Sequence, residues 1–226
     1  MRKTILLLIL TIVFGGALNS LYAQNKAIFL NNSTVWADSV FASLSEEERI
    51  AQLFMVAAYS NKGELHKQHI TDLVEQYKIG GVMFLQGGPV RQAKLTNHLQ
   101  ASAKVPLMIA IDAEWGVAMR LDSAWRFPWQ MTLGAIEDDS LIYEMGVEVA
   151  RQCKLLGIHI NFAPVVDVNS NPRNPIINNR SFGEDPEKVG LMGVAYMKGM
   201  QDNYVLACAK HFPGHGDTDA DSHKTL

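Results

Sequence analysis

The sequence predicts an α/β fold of the (β/α)8 barrel type, incomplete, with about five of the eight strands present. Three observations lead there. From residue 50 onward, short apolar runs alternate with longer polar stretches of helical period. The runs are continuously apolar, the habit of parallel strands covered by helices on both faces. Charged residues close several of them: Asp112 and Glu114 the third, Asp167 the fourth, Lys210 and His211 the fifth. A barrel carries its chemistry at those C-terminal strand ends. A doubly wound nucleotide-binding sheet would show a glycine-rich turn after its first strand. Here Ala57-Ala58-Tyr59-Ser60-Asn61 follows the first run instead.

Residues 1–23 read as a secretory signal peptide. Arg2 and Lys3 give a positive start, Ile5 to Phe14 an apolar run, and Ala23 a small residue at a cut before Gln24. The run is too short for a membrane span, and no cysteine near the cut invites a lipid anchor. The expected location is a bacterial periplasm or exterior, with an uncleaved N-terminal anchor as the alternative. Asn25 to Phe41 is expected to be a leader packing on the outside. Ser45-Glu46-Glu47-Glu48 has the capping-box pattern that starts a helix. The apolar runs are Gln52 to Ala58, Gly81 to Leu85, Leu107 to Ile111, Ile158 to Val168 and Val205 to Ala209. Helices are predicted at Glu64 to Tyr77, Val90 to Ala103, Ser140 to Leu156 and Pro186 to Asn203. A complete barrel takes about 250 residues, and this chain stops in what reads as a loop at Ser222-His223-Lys224-Thr225-Leu226. Residues 24–226 therefore read as the N-terminal part of a barrel domain.

Composition excludes several classes. The 226 residues are 48% hydrophobic and 19% charged, which is globular rather than disordered. A net charge of −3 gives no pull toward nucleic acid. Cys153 and Cys208 are too few for a disulfide framework or a cysteine-based zinc site. No later segment reaches the roughly 18 apolar residues of a transmembrane helix.

Three polar clusters carry the chemistry. The densest is KHFPGHGDTDADSH, Lys210 to His223. As a metal site it is poor. Pro213-Gly214 keeps His211 and His215 off one helix, and Ser222 stands where an Asp-x-Asp-x-Asp calcium loop needs glycine. A merely structural loop is the other bland reading. As an acid–base site it is better. Asp221 and His223, two apart in an extended loop, would project to one side, and a carboxylate beside an imidazole fixes its tautomer and stabilises its protonated form. The second cluster is IDAEWGVAMR, where Asp112 can accept hydrogen bonds, Trp115 offers a flat apolar surface and Arg120 a fork of donors. The third is NFAPVVDVNSNPRNPIINNRSFGEDPEKV. It is a long ordered loop containing Arg180, in which Asp167 either braces the loop or touches ligand, followed by a helix with Asp185-Pro186 as cap and first residue.

With these motifs in this order, the chain resembles glycoside hydrolase family 3, in its β-N-acetylglucosaminidase (NagZ-type) branch. The resemblance runs from about Ser43 to Leu226 over IDAEWG, NFAPVVDVN, RSFGEDP and KHFPGHGDTDADSH. The β-glucosidase members share the Lys-His pair but not the Asp-x-His. The resemblance implies a retaining exo-hydrolase without cofactor. It would release terminal β-linked N-acetylglucosamine from amino-sugar conjugates such as peptidoglycan fragments. His223 would be the general acid/base and Asp221 its partner, a departure from the usual carboxylate acid/base. Asp112, Arg120, Arg180, Lys210 and His211 would bind the sugar in the −1 subsite. The nucleophilic aspartate would lie on a later strand, beyond Leu226, so these 226 residues alone are expected to be inactive. Some relatives carry a serine-hydrolase-like domain further on. One departure stands out: Glu114-Trp115-Gly116-Val117 replaces the branch's common Glu-Gly-Gly-Arg, which bears on the shape of the sugar pocket. The rival readings are a β-glucosidase-type family 3 hydrolase, a glycoside phosphorylase whose uncharged histidine would not repel phosphate, and a non-catalytic sugar-binding paralogue.

Overall fold

The structure is a computed structural model that describes residues 33–224. The expected signal peptide lies outside the described residues. The chain divides after Leu44 into two units, and the described part of the first holds the helix α1 (Val35–Ser43). Among the described residues no helix is long and apolar enough to cross a membrane.

The second unit begins with α2 (Glu46–Ala51), opened by the predicted capping box: the Ser45 hydroxyl accepts from the Glu48 N–H, and the Glu48 carboxylate from the Ser45 N–H. Then come β1 (Met55–Tyr59), α3 (Glu64–Asp72), β2 (Gly81–Gln86), α4 (Pro89–Ser102) and β3 (Met108–Ile111). Next are the short α5 (Gln130–Leu133), α6 (Ser140–Leu155), β4 (Ile160–Asn161), α7 (Pro186–Gln201) and β5 (Leu206–Ala207). All five strands are parallel and lie in the order β1-β2-β3-β4-β5. Each crossover therefore steps in the same direction. With right-handed connections that keeps the helices on one face, which is the barrel habit; a doubly wound sheet reverses direction partway. The expected α/β class and barrel form hold.

Val82, Phe84, Ile109 and Ile111 have no exposed surface, which is why their runs are unbroken rather than alternating. Apart from the end of α3, the helices match their predicted spans to within two residues. Pro89 is the first residue of α4, and the Asp185 carboxylate caps α7 by accepting from the Glu187 N–H at 2.9 Å. The end of α3 differs slightly, continuing as one wide turn, Leu73–Tyr77, before Lys78 takes a positive φ of 59°.

Four strands are shorter than their apolar runs, β3 by a single residue. Gln52 to Phe54 is a turn closing α2, because Gly80 packs its backbone onto Gln52 and donates to the carbonyls of Ala51 and Phe54. The run Ile158 to Val168 keeps a regular ladder only at Ile160–Asn161. Pro164 has no N–H to give, and beyond it a lone bridge pairs Val165 with Lys210. For the same reason β5 stops at Ala207, short of Ala209. Pairing thus resumes just where Lys210 needs a fixed direction: the Lys210 N–H donates to Pro164 and its carbonyl accepts from Val166.

Helices α6 and α7 meet through glycine. A Cβ on Gly199 would lie 2.2 Å from the Tyr143 carbonyl oxygen, and one on Gly146 2.5 Å from that of Tyr196. Tyr196, fully buried on α7, donates its hydroxyl proton to the Ala113 carbonyl at 2.9 Å. The helix pair therefore holds the backbone beyond β3. Gly199→Ala must push backbone from backbone, so it should lower unfolding stability by about 2 kcal/mol, read from urea denaturation of the product of the complete reading frame. A change of less than about 0.5 kcal/mol would show that the two helices separate freely.

Candidate active site

The site begins at the end of β3. The Ala113 N–H donates to the Asn161 side-chain oxygen at 2.8 Å, and its carbonyl accepts from the Asn161 amide at 3.2 Å as well as from Tyr196. Ala113 is thereby fixed facing the core. Its neighbours Asp112 and Glu114, two apart, both meet Lys210.

Lys210 Nζ is 2.9 Å from Asp112 Oδ1 and 2.8 Å from Glu114 Oε1. Arg180, on the turn Asn178–Arg180, grips Glu114 with two parallel bonds, Nε to Oε2 at 2.9 Å and Nη2 to Oε1 at 2.8 Å. Arg120 Nη2 reaches Asp112 Oδ2 at 2.5 Å, while its buried Nε has no hydrogen-bond partner. Burial works to raise both carboxyls. Lys210 and Arg120 outweigh it at Asp112, and Arg180 and Lys210 at Glu114, so both lie below their ordinary values. Burial likewise works to lower Arg180, but the Glu114 carboxylate holds it above its usual value.

Beside this network stands Asp167, which takes three bonds: His211 Nδ1 at 2.6 Å, the His211 N–H at 3.1 Å and the His215 N–H at 2.7 Å. Burial opposes ionisation there too, and the His211 ring and the two N–H groups overcome it. Of the two readings of Asp167, the structure supports the brace. The loop after β5 is held further by asparagines. Asn174 donates to the His215 carbonyl, and Asn171 donates to the Asp217 carbonyl at 3.1 Å and to the Asp219 carboxylate at 2.8 Å. His215 places its ring nitrogens on Thr218 and Ser222. Among the described residues no three His, Cys, Asp or Glu side chains are grouped to hold a metal ion.

Asp221 and His223 do pair, with Nδ1 2.9 Å from Oδ1. The extended loop expected to align them is absent. Residues 222–224 form a turn, in which the Asp221 carboxylate also accepts the His223 N–H at 2.9 Å. Aspartate bonding the backbone two residues on is a turn former, so the same spacing yields the same pair by a different geometry. The His223 N–H and ring hold Asp221 below its ordinary value.

A cleft of about 560 Å³ gathers these groups. Asp112, Arg120, Arg180, Lys210, His211 and His223 all line it, and so do Glu114, His215 and Ser222. Asp221 does not; it stands behind His223. Trp115, Met119 and Ile176 give the cleft an apolar side. The sequence reading missed Glu114 as a site residue, although it has no exposed surface and takes bonds from two cations. Its position two residues after Asp112 was the available signal.

The model of the glycosyl hydrolase family 3 N-terminal domain matches residues 45–226. The chain belongs to glycosyl hydrolase family 3. Beta-hexosaminidase A of Pseudoalteromonas piscicida is 41% identical over 70% of this chain and 28% of its own length. The family 3 β-N-acetylglucosaminidase from Paenibacillus sp. str. FPU-7 superposes with a TM-score of 0.72 at 37% identity, over 80% of this chain and 35% of that one. The beta-glucoside phosphorylase BglX superposes with a TM-score of 0.80 at 30% identity, over 85% and 35%. The chain thus spans about a third of the length of these relatives.

In this family 3 domain Glu114 is the most enclosed charge, so its removal should be costly. Its carboxyl is lower in the folded state than its ordinary 4.5, so its stabilisation is complete above that value and is lost as pH falls through the folded one. Glu114→Gln, leaving Arg180 and Lys210 without their carboxylate, should cost about 3 kcal/mol at neutral pH. That deficit should shrink at an acid pH well below 4.5, as the wild-type carboxyl protonates. Urea denaturation at the two pH values reads the difference, and a deficit independent of pH would contradict this account.

Proposed function

We propose that the complete protein is an exported, retaining, exo-acting β-N-acetylglucosaminidase, working on amino-sugar conjugates such as peptidoglycan fragments. The observation that carries the reading is the Asp221–His223 pair, with His223 at the mouth of a cleft floored by Asp112, Arg180 and Lys210. A hexosamine is neutral and rich in hydroxyls. It is recognised by converging carboxylate acceptors and cationic donors, and the ion-paired floor supplies both.

In this reading the floor seats the terminal sugar. His223 Nδ1 is held by Asp221, which leaves Nε2 to give its proton to the departing glycosidic oxygen. A carboxylate from a later part of the barrel attacks the anomeric carbon, and the glycosyl-enzyme forms as the leaving group departs. Neutral His223 then takes a proton from the water that releases the sugar. Asp167 and His211 set the position of the loop that carries the histidine. The signal-like residues 1–23 support export.

With an aryl β-N-acetylglucosaminide and the product of the complete reading frame, His223→Ala should reduce kcat/KM by about 10²–10⁴. Preference for the aryl β-glucoside would overturn the sugar assignment. The similarity to BglX keeps phosphorolysis as the second reading; a sugar 1-phosphate formed only when phosphate is added would establish it. No turnover in either assay, with the sugar still bound, would favour the non-catalytic paralogue.

A further inference from the structure

The loop leaving β1 and the facing sides of α3 and α4 line a second cavity, of about 310 Å³, that shares no residue with the cleft. Its lining follows from helical spacing. On α4, Arg91, Lys94, Leu95 and His98 recur at i, i+3, i+4 and i+7, so they stand on one face. On α3, Glu64 and Lys67 are one turn apart. Leu95 is buried and gives the cavity an apolar patch. The end of β1 is held by its own loop, the Tyr59 N–H donating to His66 Nε2 at 3.0 Å.

The charge of this wall runs against that of the chain. Lys62, Lys67, Arg91 and Lys94 meet a single carboxylate, Glu64, although the chain as a whole carries −3. Two of the four cations are already paired: Lys67 with Glu64 at 3.2 Å, and Arg91 with Asp122 at 2.5 Å. The other two are not. Lys62 Nζ rests 3.7 Å from the centre of the Tyr59 ring. Neither it nor Lys94 has a carboxylate within ion-pair reach among the described residues. Like charges gathered along one concave wall repel, and an anion seated between them removes that cost.

The donors also select the anion. A carboxylate is met best by a free guanidinium fork, and the cavity's one guanidinium is turned to Asp122. Lysine ammoniums are point charges with three protons each, suited to phosphate oxygens that point in several directions. Ser60 adds a hydroxyl whose oxygen accepts the Gly88 N–H at 3.3 Å, leaving its own proton to give. We propose that this cavity binds a phosphomonoester, with Lys62 and Lys94 on the phosphate and the space beside Leu95 taking the group that carries it. Nothing in this site depends on which bond the cleft breaks.

The test is isothermal titration calorimetry of the product of the complete reading frame with glycerol phosphate, inorganic phosphate, glycerol and acetate. The wild-type protein should bind glycerol phosphate with a Kd below about 1 mM, more tightly than inorganic phosphate, and should not bind glycerol or acetate. Lys62→Gln and Lys94→Gln should each weaken the ester about tenfold, because each removes a charged donor. Both lysines are exposed, so both variants should unfold at the wild-type midpoint in phosphate-free buffer. Failure of the wild-type protein to bind glycerol phosphate overturns the site. So does binding that both variants retain in full, which would put the phosphate in the cleft, where phosphorolysis needs it. Acetate bound as tightly as glycerol phosphate overturns the choice of phosphate. Inorganic phosphate bound more tightly than the ester overturns the carried group and leaves a site for the free ion.

Discussion

Two carboxylates sharing one ammonium tie this structure together. Asp112 and Glu114 leave β3, Lys210 leaves β5, and Arg180 comes from the long loop after β4. Those segments are far apart in the chain, and the network forms only when β3, β4 and β5 lie side by side in register. Enclosed charges are costly to desolvate, and a pair with one partner removed costs more than it gave. The network is therefore a condition on the fold as much as a product of it. It also leaves a concave floor of ion-paired charge, which suits the ordered recognition of hydroxyls.

The layers behind the floor exist to hold it. Asn161 and Tyr196 saturate the Ala113 backbone, so the strand cannot rotate its two carboxylates away. Tyr196 is itself placed by α7, which approaches α6 closely enough to require glycine at 146 and 199. A defect at a helix crossing thus reaches the cleft through one hydroxyl and one amide, with no polar residue of the cleft altered. Asp167 does the same service on the other flank, exchanging three hydrogen bonds for the position of the loop that ends in His223.

Much of the fold was legible because strand burial leaves a direct trace. Runs such as Gly81 to Leu85 are apolar at every position, and two of the helices announce their starts through Ser45 and Asp185-Pro186, residues with strong positional habits. Strand ends were less legible. Pro164 sits inside an apolar run that otherwise reads as one long strand, and only the sheet shows pairing interrupted and resumed at Val165. At the site, Asp112, Arg120, Arg180, Lys210, His211 and His223 were placed by their motifs and all line one cleft. Glu114 was seen only as a strand-end charge, because a glutamate after a strand looks like any helix-opening acid until its two cations are seen around it.

The sequence by itself determined the parallel α/β class, the order of elements and the pairing of Asp221 with His223, because each depends on residues near one another in the chain. Tertiary structure alone decided which charges neutralise which, that Asp167 braces rather than faces the cleft, and that Glu114 is enclosed between two cations. Those depend on where the backbone brings distant side chains, and one-dimensional spacing holds no record of a distance across a barrel.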